Sequence, residues 1–347
     1  MRATAAVAGV LVLAACSSPS ESPPSTSGGS SPSTASTSPS GSTSPSTSAS
    51  PSTSTAKLDL YAGTAPAVAP RGTVTTRTLR TRDGRTRSYR LFVPIGPLGT
   101  SPLLVALHGG LGSSAQFSSN SGFDGLATSN KFLVAYPDGV GRLANGGGGA
   151  QTWNGGDCCG PAAKTKVDDV SAAYSVDPKR IYAAGHSNGG IMALRLACEA
   201  SDVFTAVGVQ SSALGVATCS PKPPVSLLQI HGTADTNIPI DGGRGSGLAN
   251  VSFRPPKQAA TTIAAADSCD PTPTTTDDTA NPDLRLTAWP GCAAGTGVEF
   301  LTVVGAGHAW MGHPASSPLA ERLVGTPYAG LDSSRAIWSF LAAHPRR

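Results

Sequence analysis

Charge is scarce in this sequence. Only 13% of its 347 residues are Asp, Glu, Lys or Arg, about half the usual share. A formal net charge of +4 does not mark a nucleic-acid binder. No Lys/Arg cluster with interleaved aromatics is present either, and the arginines scattered between Arg71 and Arg87 read as a solvated hairpin. The apolar run at residues 3–15 is about 13 residues long, short of the about 20 that a membrane-spanning helix needs. The cysteines lack paired CxxC spacing and the histidines fall elsewhere, which excludes a zinc ligand set. There is no internal repeat and no nucleotide-binding glycine fingerprint.

The missing charge is unevenly distributed. Between Ser17 and Ala56 the chain is almost entirely Ser, Thr, Pro, Gly and Ala, with Glu21 the only charge. Such a segment has no apolar surface to offset its ordering entropy and is expected to be a disordered tether. Before it, Arg2 and the apolar run at 3–15 form a secretory signal. The run ends in Leu13-Ala14-Ala15-Cys16, which resembles a bacterial lipobox. That resemblance implies a signal peptide at 1–15, a lipid on Cys16 and a lipid-anchored tether at 16–56. The expected location is the extracellular side of the cell membrane. Residues 57–347 then form one large domain, long enough to bury a substantial core.

Beyond Cys16 the sequence carries Cys158, Cys159, Cys198, Cys219, Cys269 and Cys292. An even number in an exported domain points to disulfides. Several connectivities fit. The expected bridges are the local pairs Cys198–Cys219 and Cys269–Cys292, each adding roughly 3 kcal/mol if unstrained. Cys158 and Cys159 are then a vicinal bridge, free thiols or crossed thiols.

Residues 73–93 alternate around Asp83-Gly84, a hairpin signal. Five short apolar runs follow, at 103–107, 132–136, 180–184, 225–230 and 298–304. Bounded by Gly, Pro or Asp, they suit strands buried on both faces. Helix-like stretches lie at 113–129, 191–200, 258–266 and 333–343. This alternation predicts an α/β fold, a mostly parallel sheet with helices on both faces and an antiparallel N-terminal edge hairpin.

Working residues of open α/β sheets gather at the carboxyl ends of strands, and four such ends are distinctive here. Gly185-His186-Ser187-Asn188-Gly189 matches G-x-S-x-G between a strand and a helix, where glycines permit a strained turn that lifts the Ser187 hydroxyl clear. Asp235 follows the run ending at Ile230 and is suited to orient a histidine, with Asp241 as its nearest rival. His308 follows the last strand run and is the best-placed general base. The chain order Ser187, Asp235, His308 is that of α/β-hydrolase triads. Finally, His108-Gly109-Gly110-Leu111 is a glycine loop fit to donate a backbone N–H to an oxyanion. Gly110 is favoured over Leu111, with the Asn188 N–H as the second donor.

These residues resemble the polyhydroxybutyrate depolymerase/feruloyl esterase group, similar to carbohydrate esterase family 1. The carrying motifs are His108-Gly109-Gly110, Tyr136-Pro137-Asp138-Gly139, Trp153-Asn154 with Cys158-Cys159-Gly160, Val167-Asp168-Asp169-Val170, and the segments around Ser187, Asp235 and His308-Ala309-Trp310. The resemblance implies an α/β-hydrolase fold and a Ser187–Asp235–His308 triad that needs no cofactor or metal. It implies a monomeric serine carboxylesterase acting on short-chain, feruloyl, acetyl or hydroxybutyrate-oligomer esters. Two other functions share the motifs: acyl transfer to a cell-envelope sugar, and a tethered binding protein with a disabled site. Trp153, Trp310 and Trp289 either line an aryl or sugar pocket or pack in the core. With no separate polymer-binding module evident, soluble oligomers fit better than insoluble polyester.

Two departures stand out. About ten residues are missing between Val170 and Ser175, where the family carries a longer helix. Either apolar sheet is exposed there, or residues 162–174 substitute. In addition, Met311 stands where the family usually has proline, which predicts a less rigid loop around His308.

Overall fold

The computed structural model describes Tyr61 and residues 68–81, 84–141, 151–156, 163–247 and 251–347, with the side chains of 163–166 excepted. The expected signal peptide, Cys16, the tether at 16–56, Asp83, Cys158 and Cys159 lie outside the described residues.

The opening hairpin forms as its alternation predicts. β1 (Gly72–Arg80) pairs antiparallel with β2 (Thr86–Pro94), Gly72 opposite Pro94 and Arg80 opposite Thr86. The five apolar runs become β3 (Ser101–Leu107), β4 (Leu133–Pro137), β5 (Val176–His186), β7 (Ser226–Gly232) and β12 (Val298–Val303). Between β5 and β7 the structure adds β6 (Ala206–Gln210). A two-residue pair, β8 (Gly243–Arg244) and β9 (Ser252–Phe253), forms a small separate ribbon. Two further strands, β10 (Thr274–Asp277) and β11 (Leu284–Trp289), complete a ten-stranded sheet of order β1-β2-β4-β3-β5-β6-β7-β12-β11-β10. Strands β4, β3, β5, β6, β7 and β12 run parallel. An antiparallel pair closes each edge, so the expected edge hairpin has a counterpart on the far side.

The apolar runs are continuous because both faces of the parallel strands are covered. Leu103, Val105 and Leu107 of β3 belong to one buried cluster, and Leu104 and Ala106 to the other. The first face is covered by α3 (Ala163–Ala173), α4 (Asn188–Glu199) and α5 (Lys257–Ala266), through residues such as Val170, Leu196 and Ile263. The second is covered by α1 (Ser114–Asn120), α2 (Phe123–Asn130) and α7 (Ser333–Ala343), through Phe117, Phe123 and Ile337. The stretch expected as one helix at 113–129 is two. Gly122 at φ +75° breaks it, in a left-handed conformation that favours glycine. A seven-residue α6 (Pro318–Val324) stands apart, with Leu319 and Leu323 exposed.

Helix α3 takes the place of the longer helix. Val167 and Val170 are buried, and Leu103, Val105 and Ala183 of the sheet stay fully covered. Asp169 pins α3 to the hairpin by accepting from Arg77 Nε at 2.8 Å and from the Tyr89 hydroxyl. Both local disulfides form as expected, Cys198–Cys219 and Cys269–Cys292.

Candidate active site

The turn after β5 is built by exclusion. A Cβ on Gly185 would lie 2.3 Å from the Gly189 carbonyl oxygen, and one on Gly189 would lie 2.3 Å from the Leu107 carbonyl oxygen. The chain therefore reverses in less space than side chains allow. Ser187 sits at the apex with φ +53° and ψ −122°, a conformation that costs a non-glycine residue of order 1–3 kcal/mol. Its N–H is held by the Gln210 carbonyl at 3.0 Å, and α4 begins at the next residue.

Ser187 Oγ lies 2.8 Å from His308 Nε2. His308 Nδ1 lies 2.8 and 3.0 Å from the two Asp235 carboxylate oxygens. A carboxylate only accepts, so Nδ1 carries the proton and Nε2 is free to accept from the serine. The strand ends at β5, β7 and β12 thus converge as the sequence order predicts, and Asp235, not Asp241, meets the histidine. Burial pushes the Asp235 carboxyl up. The hydrogen bond from His308, the charges of His308 and His231, and the Ile238 N–H outweigh it and hold the carboxyl below the usual range. Asn237 and Ile238 N–H groups donate to it at 3.0 and 2.9 Å.

The glycine loop after β3 lies against this turn. A Cβ on Gly109 would be 3.6 Å from Ser187 Cβ, and one on Gly110 would be 3.5 Å from Asn188 Cβ. The Leu111 N–H is occupied by the Gln151 carbonyl at 2.8 Å, which leaves Gly110 as the better of the two loop donors.

The three tryptophans take separate places. Trp153 is half-buried and works as a strut: its Nε1 donates to the His108 carbonyl at 2.8 Å, and its backbone exchanges two hydrogen bonds with the Asn188 side chain, at 2.6 and 3.0 Å. It ties the glycine loop to the residue after the nucleophile. Trp310 is buried, edge-on to Phe117 and Phe123, with Nε1 donating to Ser334. It packs the core behind His308. Trp289 lines a separate cavity of about 290 Å³ that also holds Thr276, Glu299 and His344 and includes no residue of the triad. Among the described residues, no group of three or more His, Cys, Asp and Glu could hold a metal.

Residues 87–237 match the profile of the esterase PHB depolymerase family. NocK of Nocardia uniformis subsp. tsuyamanensis, which carries a provisional esterase name, is 31% identical over 289 residues, covering 74% of this chain and 80% of NocK. The chain belongs to the PHB depolymerase esterase family. Feruloyl esterase B of Piromyces equi is 30% identical over 221 residues, 60% of this chain but only 40% of that longer protein. In fold, the acetyl xylan esterase from Aspergillus awamori superposes with a TM-score of 0.52 at 17% identity, over 68% of this chain and 94% of that one. With the family comes the enzyme class, carboxylic ester hydrolase.

Three residues around this family's site carried no usable signal in the sequence. His186 Nε2 donates to the His308 carbonyl at 2.8 Å; burial, then the neighbouring His308, pushes its imidazole down to about 3, so it stays neutral. His231 Nε2 bonds the Ile238 carbonyl at 2.8 Å, steadying the turn that presents Asp235. Gln210 lies buried beneath both the serine turn and the histidine loop. Each histidine stands beside a motif, but only the folded chain turns it toward the loop that it supports.

Proposed function

We propose that this chain hydrolyses carboxylic esters through an acyl-enzyme on Ser187. The observation that carries this reading is the unbroken line of contacts from Ser187 Oγ through His308 to Asp235, at 2.8 Å on each side. His308 Nε2 takes the hydroxyl proton as Oγ bonds to the ester carbonyl carbon. Asp235 holds the imidazole tautomer and stabilises the imidazolium. The N–H groups of Gly110 and Asn188 receive the oxyanion, each lowering the barrier by about 3 kcal/mol. Collapse breaks the bond to the alcohol oxygen, which leaves with the proton from His308. Water then repeats the sequence, releasing the acid and restoring Ser187.

The relatives' names suggest the substrates: feruloyl, acetyl and hydroxybutyrate-oligomer esters, besides short acyl chains. The two disulfides suit an oxidising compartment and so support export; a lipid anchor on Cys16 rests on the lipobox resemblance of Leu13-Ala14-Ala15-Cys16 alone.

The test is hydrolysis of p-nitrophenyl acetate and butyrate by wild type and Ser187→Ala, with labelling by a fluorophosphonate. Wild type is expected to turn over both esters and to label. Ser187→Ala is expected to lose at least about 1,000-fold in kcat and to stay unlabelled. Equal rates in the two proteins, or labelling of the variant, would overturn the assignment.

A further inference from the structure

Gln210 ends β6 between β5 and β7, opposite His186 on one side and Ile230 on the other. It is fully buried, a position where an amide is costly unless its polar atoms are matched. Their two shorter bonds go to one loop, and a longer one of 3.3 Å runs from Nε2 to the Ser211 hydroxyl. Nε2 donates to the Ala309 carbonyl at 2.8 Å, and Oε1 accepts from the Met311 N–H at 3.0 Å. A carbonyl on one side and an N–H on the other leave only one orientation of the amide. The main chain of the same residue holds the other partner, since the Gln210 carbonyl accepts from the Ser187 N–H at 3.0 Å.

We propose that Gln210 is a positioning residue for the ester hydrolysis, setting the reach between His308 Nε2 and Ser187 Oγ by bracing both of their backbones. The inference rests on the triad reading above. It also accounts for Met311, which resemblance to the family marked as standing where proline is usual. Proline has no N–H, whereas Met311 supplies the donor that Gln210 Oε1 accepts, and Met311 is itself fully buried. Met311 thus offers the loop a support that proline could not. His186 completes the brace at the His308 carbonyl. The loop is fixed at three backbone positions around the base: residues 308, 309 and 311 all bond to buried side chains, and Trp310, the residue skipped, is anchored through its ring.

The experiment is a double-mutant cycle. Gln210→Met keeps the length of the side chain and removes both bonds to the loop. In wild type it is expected to lower kcat on p-nitrophenyl acetate by about 10- to 100-fold, the effect of a shift of about 1 Å at the reacting atoms, with KM within about threefold. In a His308→Ala background the same change is expected to alter the residual rate by less than about twofold, because the residue acts through the histidine. Circular dichroism and a melting curve establish that each variant is folded. If Gln210→Met does not fold, Gln210→Asn, too short to reach both partners, replaces it with the same expectation. An unchanged kcat, or an equal loss in both backgrounds, overturns the proposal. If His308→Ala alone leaves the rate unchanged, the triad reading itself fails.

Discussion

The serine turn and the histidine loop deliver two atoms to within 2.8 Å of each other, and they do it by opposite means. The turn is held by crowding. Glycines at 185, 189 and 190 lie where a Cβ would fall 2.3–2.7 Å from neighbouring atoms, so the backbone has one path and Ser187 accepts a strained φ to follow it. The loop is held by polar contacts, its backbone bonded to His186 and Gln210 and its imidazole to Asp235. Crowding acts over a few tenths of an ångström and is indifferent to pH. Hydrogen bonds depend on the protonation of the groups that make them. The two halves of the site should therefore fail in different ways.

The largest effect is expected on the crowded side. Gly189→Ala would set a methyl 2.3 Å from the Leu107 carbonyl and 2.4 Å from that of His108, both main-chain atoms in or beside β3. The backbone must shift to admit it, and unfolding in urea is expected to show a loss of about 3 kcal/mol or more. A loss below about 1 kcal/mol would mean that the turn is not held by contact.

The polar side should answer to acid. His186 binds a proton at about 3 in the fold against 6.5 when free. Between those values the unfolded chain carries the extra proton, so stability is present above pH 6.5 and drains away as pH falls toward 3. From pH 7 to 5 this group alone accounts for about 2 kcal/mol. Asp235, whose carboxyl is held low, adds stability throughout the range above the ordinary carboxylate value and loses it only as pH falls below that value. His186→Gln keeps a donor for the His308 carbonyl and cannot titrate in this range. Its denaturation free energy is expected to fall less than that of wild type over the same interval, and parallel curves would contradict the account.

The smallest effect tests the link between the two. Trp153→Phe keeps a ring against His108 but removes the N–H that holds the His108 carbonyl. A fall in kcat of about 3- to 10-fold is expected, with a stability loss of about 1 kcal/mol, in line with a single hydrogen bond. Full activity would show that the glycine loop needs no strut.

The same contrast explains what could be read from the sequence. Crowded elements declare themselves through glycine and uninterrupted apolar residues. The serine turn, the glycine loop and five of the parallel strands were legible for that reason, and so was the chain order of the triad. β6 was not, because Gly208 interrupts its short run. The fold needs that gap, since a Cβ there would fall 2.5 Å from Ile337 of α7. Polar supports leave no such trace. A buried glutamine at a strand end looks like any other glutamine until the loop after β12, about 100 residues downstream, lies against it. Trp310 stayed undecided for a related reason. The sequence left it between pocket lining and core packing, and α1, α2 and α7 close over its ring.

The two outermost strands have a consequence of their own. β1 reads Gly-Thr-Val-Thr-Thr-Arg-Thr-Leu-Arg and β10 reads Thr-Thr-Thr-Asp, and both are largely exposed. Strand edges offer free backbone groups to any other strand that meets them. Here hydroxyls and charges border both edges, and β10 is only four residues long. A second copy therefore gains little apolar contact by adding a strand to either border of the sheet.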